Sequence, residues 1–272
     1  MVDFFKNFFE KENIDFFSAL PIEKTIVINP RKMPENIKTA VVFLLPYNTC
    51  GKEKRNISRY AVSRDYHMLA AELYKKISSD FEEKFKGEKI FCFSDSSPIA
   101  EVDAAVKAHL GIIGKNHLLI NKVYGSFCFI ASFLLTRSVI FDSGNIDCSK
   151  TGCLDCGLCK KNCPQGCLYN NNIKSSCVSM LTQKKTLSEE ELLLVKNSPL
   201  VWGCDICQEV CPLNKNALPT KIEFFKTQRT PYLTRRLIEN MSEEQFAERA
   251  YAWRGRNVIL RNLKLKENKH DS

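Results

Sequence analysis

The stretch Cys153-Leu154-Asp155-Cys156-Gly157-Leu158-Cys159-Lys160-Lys161-Asn162-Cys163-Pro164 decides the reading of this chain. It has the spacing C-x2-C-x2-C-x3-C-P. Short two-residue gaps let one tight loop wrap three corners of an iron–sulfur cube, and the fourth cysteine of such a run points to a second cluster. The proline turns the chain away and contributes no N–H. A second run, Cys204-Asp205-Ile206-Cys207-Gln208-Glu209-Val210-Cys211-Pro212, repeats the pattern without its first cysteine. The two runs interleave, so Cys153, Cys156, Cys159 and Cys211 form the expected ligand set of one [4Fe–4S] cluster. Cys163, Cys204 and Cys207 supply three ligands of the other. The spacing leaves its fourth open between Cys167 and Cys177. Zinc would favour two separated C-x2-C pairs, often with histidine, and none of the four histidines falls within this window.

Working outward, the 13 cysteines are odd in number and mostly confined to residues 148–211. A secreted disulfide scaffold would be smaller and evenly paired. Cys92 and Cys128 sit in apolar stretches as expected packing residues, and Cys50 and Cys148 are left over. The N-terminus has no basic segment leading into an apolar one, and the longest apolar run, residues 39–47, is far short of the ~20 residues of a membrane span. We therefore expect a cytoplasmic protein with no membrane contact. The formal charge is +9; two clusters with four thiolates each would lower it to about +5. Residues 215–272 carry 13 Lys and Arg against 7 Asp and Glu, which suits either a solvated basic surface or a polyanionic partner.

The 272 residues are expected to divide into an N-terminal α/β-type domain (1–147), a ferredoxin-like domain with two [4Fe–4S] clusters (148–216) and a short basic helical tail (217–272), an α+β protein in all. Residues 4–9 read as a helix, 24–28 and 39–45 as strands, 63–85 as a helix and 89–93 as a strand. Residues 98–110 read as a helix with Ser97 as N-cap and Pro98 in the first position, ended by Gly111. Residues 118–120 and 127–135 read as strands. Residues 187–195 read as a helix whose capping box is Ser188 with Glu191.

Several further segments resemble epoxyqueuosine reductases, the cobalamin-dependent iron–sulfur enzymes of queuosine biosynthesis. Arg59-Tyr60-Ala61-x-x-Arg64-Asp65-Tyr66-His67 is similar to the family's RYA…RDYH, and Asp95-Ser96-Ser97-Pro98-Ile99-x-Glu101 to its DSxPxLE. Leu110-Gly111-x-x-Gly114-Lys115-Asn116 and Tyr124-Gly125-Ser126 match the segments that follow. Cys177-x-Ser179-x-Leu181-Thr182 resembles CISYLT, and Gly203-Cys204-Asp205-x-Cys207-Gln208 resembles GCDxCQ. These run in the family's order from about residue 25 to about 263.

The resemblance implies Cys177 as the fourth ligand beside Cys163, Cys204 and Cys207. It implies an oxidoreductase that removes the oxygen of epoxyqueuosine at the tRNA wobble position, giving an alkene and water for two electrons and two protons. Cobalamin, entering as cob(II)alamin, would be the centre facing the substrate, bound in the N-terminal domain, and Asp95 the proton donor. On position alone Asp95 would instead read as a helix cap. Arg59, Tyr60, His67, Lys115 and Asn116 become candidates for contacts to the corrin or the substrate, and Cys204-Asp205 for the place where the second cluster meets the corrin. Lys184, Lys185, Arg254 and Arg256, with Arg235, Arg236 and Arg261, become candidates for phosphates of the anticodon stem–loop. An external donor such as ferredoxin or flavodoxin, and a monomeric state, complete the expectation. Val102 stands where the family usually has Arg, Ile112 where it has Trp, and Leu213 replaces the Trp of CPWN. Longer members add a C-terminal helical-repeat region beyond the point where this sequence stops. Two other readings stay open: a cobalamin reductase of another small molecule, as in reductive dehalogenases, and a two-cluster electron carrier.

Overall fold

The computed structural model describes residues 1–49, 51, 53–141, 152–169 and 176–267. Cys50, Cys148 and the expected boundary at 147–148 lie outside them. The chain forms two compact units. The first comprises Met1–Asn48, Tyr66–Leu154 and Asn216–Glu223; the second comprises Thr49–Asp65, Asp155–Lys215 and Phe224–Ser272. These units cut the chain differently from three consecutive segments. Residues 49–65 group with the second unit because their backbone is bound there: Ser58 N–H donates to Trp202 O at 2.8 Å and Val201 N–H to Asn56 O at 2.6 Å.

The first unit is built on a four-stranded antiparallel sheet of β1 (Phe17–Pro21), β2 (Thr39–Pro46), β3 (Ile90–Ser94) and β6 (Cys128–Leu135), in the order β1-β2-β6-β3. A two-stranded ribbon of β4 (Ile112–Ile113) and β5 (Leu119–Ile120) stands apart from it. Helices α1 (Val2–Lys11), α2 (Tyr66–Lys84) and α3 (Glu101–Lys107) complete the unit. β2 is a continuous apolar run because both its faces are covered. Ala40, Val42 and Leu44 pack with Ala104, Ala105 and Leu110. Phe43, on the opposite face, meets Phe9 of α1 at 5.1 Å and Phe133 of β6 at 4.8 Å between ring centroids. Each such ring contributes about 1.5–3 kcal/mol by leaving water.

Two expectations for this unit are corrected. Residues 24–28 form no strand; the sheet strand lies earlier, at Phe17–Pro21, and Val27 makes only an isolated bridge to Ile99. Helix α3 begins at Glu101, not Pro98, and has no side-chain cap. The cause is common to both. Ile28 N–H donates to Pro98 O at 2.8 Å and Ala100 N–H to Ile26 O at 2.8 Å, so this pairing takes the backbone that a longer helix would need. Ser97 Oγ instead accepts from Ile99 N–H at 3.3 Å.

In the second unit short helices surround a core of Ile57, Val62, Val201, Trp202, Leu233, Ile238, Tyr251 and Ile259. The helix Glu189–Asn197 carries the capping box of Ser188 and Glu191. It packs against the C-terminal helix Arg256–Glu267. Among the described residues no helix is long and apolar enough to cross a membrane.

Candidate active site and cluster centres

In the first unit Asp95 follows the last residue of β3 with φ of 59°, a left-handed conformation uncommon for a residue with a Cβ. It is exposed and does not cap α3. Tyr66, the first residue of α2, donates its hydroxyl to the Asp95 carboxylate. The Tyr66 ring is fixed by stacking on Phe129 of β6, with centroids 3.7 Å apart and planes 13° apart. Asp95 N–H donates to Glu101 Oε2 at 3.0 Å. Burial, and then the Asp95 charge, push the Glu101 carboxyl up to about 8, so it keeps its proton at neutral pH. The sequence brought Tyr66 and Glu101 into view only within longer motifs; the structure gives both a contact with Asp95.

His67 is exposed with its ring 4.2 Å from that of Tyr66. Lys115 and Asn116 lie in the turn between β4 and β5, where Asn116 is buried. The Asn116 Oδ1 accepts from Leu118 N–H at 3.4 Å, and its Nδ2 has no partner among the described residues.

In the second unit Asp205 is 1% exposed. It accepts from the Arg55 guanidinium at 2.8 Å, from Arg59 N–H at 2.8 Å and from the Ser58 hydroxyl. Burial raises its carboxyl above the usual range, against the pull of Arg55, Ser58 and the Arg59 N–H. Tyr60 accepts from Trp202 Nε1 at 2.8 Å. Gly203 has φ of 72°, and a Cβ on it would stand 2.4 Å from Ser58 Cβ, so only glycine admits this close pass beside Cys204. Arg55 and Ser58 were not singled out in the sequence, because polar residues in a loop carry no periodic signal.

Among the described residues every cysteine is a free thiol. Cys153 falls at the end of the first unit; Cys156, Cys159, Cys163, Cys177, Cys204, Cys207 and Cys211 belong to the second. The helices Leu158–Lys161 and Ile206–Glu209, each bearing one of these cysteines, pack on each other. Cys204 is pushed up to about 11 by burial and then by the charges of Cys177, Asp205 and Cys163. Cys207 is pushed up to about 12 by burial and by Cys204, Cys177, Asp205 and Cys163. Cys204 and Cys207, half-buried thiols that each resist ionising beside the other, suit an iron core whose positive charge would neutralise their thiolates. Cys163 is biased the other way. Burial acts against its thiolate, but hydrogen bonds from the Cys167 thiol and from the N–H groups of Gln165, Leu168 and Cys167 outweigh it and hold the thiol below its ordinary range.

The basic candidates differ in how far their charge is engaged. Lys185 and Arg236 are exposed. Lys184 pairs with Glu191, and Arg235 with Glu239 at 2.7 Å. Arg254 stacks its guanidinium 3.8 Å from the exposed Trp253 ring. Arg256 is held by Ile238 O and by Glu243 at 2.8 Å, and Arg261 by the carbonyls of Lys184 and Lys185.

Residues 28–96 match the family model described as epoxyqueuosine reductase QueG, and residues 152–214 match a 4Fe-4S double cluster binding domain. The epoxyqueuosine reductase of Cyclobacterium marinum is 34% identical over 226 residues, covering 80% of this chain and 71% of that protein. The chain belongs to the epoxyqueuosine reductase family. The family's member from Escherichia coli is 34% identical over 196 residues, 70% of this chain and 50% of its own length. The solved epoxyqueuosine reductase of Streptococcus thermophilus shares the fold, with a TM-score of 0.78 at 21% identity over all of this chain and 81% of the other. An epoxyqueuosine reductase solved with an epoxyqueuosine-modified tRNA-Tyr stem loop gives 0.75 at 20% identity, covering 97% and 80%. Like the double cluster domain it matches, the chain carries two [4Fe–4S] clusters.

Proposed function

We propose that this chain reduces epoxyqueuosine to queuosine at the wobble position of tRNA, with Asp95 as the proton donor. The observation that carries the reading is the trio of Asp95, Tyr66 and Glu101 within the unit that contains most of the family-specific match. The Tyr66 hydroxyl orients the Asp95 carboxyl. Glu101, its pKa raised by burial and then by the Asp95 charge, holds a proton beside it near neutral pH, so the Asp95 carboxylate takes up a proton, from Glu101 or from solvent, before it donates. Asp95 delivers one proton to the epoxide oxygen as its C–O bond breaks. Two electrons and a second proton then leave an alkene and water.

One observation supports cobalamin: the buried Nδ2 of Asn116, without a partner among the described residues, is a donor suited to a corrin amide oxygen. His67, Lys115 and Asn116, all in the first unit, would hold it. When bound, it supplies the low-potential metal chemistry that reduces the substrate. Asp205 is saturated by Arg55, Ser58 and Arg59, so its part is to fix the Cys204 loop. The clusters serve as the electron relay, with Cys153, Cys156, Cys159 and Cys211 on one and Cys163, Cys177, Cys204 and Cys207 on the other. The reading places the chain in the cytoplasm as a monomer reduced by a ferredoxin or flavodoxin. Lys185 and Arg254 are its foremost tRNA phosphate contacts; the engaged Arg256 serves the fold.

The test is an anaerobic assay on epoxyqueuosine-containing stem–loop RNA, with cobalamin supplied. Asp95→Asn is expected to keep the cluster and corrin absorption and to lose about 10²–10⁴ in turnover. Wild-type turnover in that variant would remove Asp95 from the chemistry.

A further inference from the structure

Cys167 belongs to neither cluster set, yet its sulfur lies 3.3 Å from that of Cys163. We propose that Cys167 is a reserve ligand of the second cluster, placed to take over the iron held by Cys163 through thiol–thiolate exchange. The proposal rests on the two-cluster reading and on Cys163 as a ligand.

Local geometry makes the contact. The chain turns at Cys163-Pro164-Gln165-Gly166, where Gly166 N–H donates to Cys163 O at 3.1 Å. Gly166 has φ of 59°, which returns the next residue toward Cys163. Cys167 is 2% exposed, so it is shielded from dissolved oxidants, and its thiol also hydrogen-bonds that of Cys177. It therefore touches two cysteines of the same expected ligand set. The other described cysteines outside the ligand sets, Cys92 and Cys128, lie in β3 and β6 of the first unit. A buried cysteine is often only a small apolar filler. A filler has no need to place its sulfur against a ligand sulfur.

The exchange balances without any further reagent. The iron–sulfur bond to Cys163 breaks as one to Cys167 forms, and the Cys167 thiol proton crosses the S···S contact to the departing Cys163 thiolate. No electron moves, and the charge on the cluster is unchanged. A [4Fe–4S] cluster that has lost one ligand is open to attack at that iron; a second thiol within reach closes the corner again.

Iron and acid-labile sulfide are counted in protein purified and reconstituted without oxygen, with electron paramagnetic resonance of the dithionite-reduced sample. Wild type and Cys167→Ala are expected to hold about eight irons per chain. Cys163→Ala is expected to hold about eight as well, with a changed resonance from one cluster. Cys163→Ala/Cys167→Ala is expected to fall to about four. A fall to about four in Cys163→Ala alone overturns the proposal. Should that variant not fold, anaerobic iodoacetamide labelling of the wild-type holoprotein decides. Exchange predicts label on Cys163 in some molecules and on Cys167 in others; label on Cys167 and never on Cys163 overturns it. Wild type with far fewer than eight irons is a separate failure, which sinks the two-cluster reading and the proposal with it.

Discussion

Removing the Asp205 carboxylate should loosen the second unit and the Cys204 loop together. Asp205 is buried and takes hydrogen bonds from Arg55, Arg59 N–H and Ser58, so Asp205→Ala leaves three donors facing an apolar methyl. Breaking a buried ion pair from one side costs about 3–5 kcal/mol. Arg55 keeps Glu209 and the Ile57 carbonyl, which favours the lower end, about 3 kcal/mol. With a urea slope of about 2–3 kcal/mol/M, that moves the unfolding midpoint down by roughly 1 M. Arg55→Ala, which leaves the carboxylate buried, should cost a similar amount. The double variant should cost about 2 kcal/mol less than the two single losses combined, because neither charge is then stranded. The assay is anaerobic urea unfolding of the cluster-loaded protein, followed by far-ultraviolet circular dichroism and by cluster absorbance. Additivity within about 0.5 kcal/mol would refute the coupling, and an unmoved midpoint in Asp205→Ala would refute the role assigned to the network.

Folding raises Glu101 from its ordinary 4.5 to about 8, so the native state keeps a proton that the unfolded chain releases. Its share of stability therefore falls as pH rises through that window and is level above it, by up to a few kcal/mol; Glu101→Gln should flatten the slope in melts between pH 5 and 8, and an unchanged slope would count against the assignment. Gly203→Ala should destabilise the unit by more than ~2 kcal/mol, since it adds left-handed strain of about 1–2 kcal/mol to a close contact with Ser58; iron content and urea midpoint report it, and a neutral result would mean that the loop relaxes freely. Lys185→Ala and Arg254→Ala should each weaken stem–loop binding and lower the slope of log affinity against log salt by about 1. Fluorescence anisotropy from low to moderate salt measures this, and an unaltered slope would place the tRNA elsewhere.

Elements set by local chemistry were legible from the sequence. The apolar runs of β2 and β6 and the box of Ser188 with Glu191 were read nearly to their observed bounds. The cysteine spacings pointed to the double cluster domain that the family match supports. What failed depended on distant partners. Pro98 after Ser97 has the local signature of a helix start, but the strand-like pairing of 26–28 with 98–100 overrides it. The same pairing explains why residues 24–28 look extended without joining the sheet. At the candidate site, Asp95 was reached by resemblance. The hydroxyl and carboxyl beside it come from residues 29 positions earlier and 6 later, a proximity that only the fold creates.

Residues 49–65 leave the first unit after β2 and find their partners near residues 201–233. Arg55 and Asp205 are 150 residues apart. At ribosomal rates of about 5–20 residues per second, the arginine emerges roughly 8 to 30 s before its aspartate exists. During that interval the segment has no lodging, and a ribosome-bound chaperone has something to hold. For the same reason no single cut in the gene yields either half intact: a truncation meant to isolate the sheet would carry an orphaned strip of its neighbour.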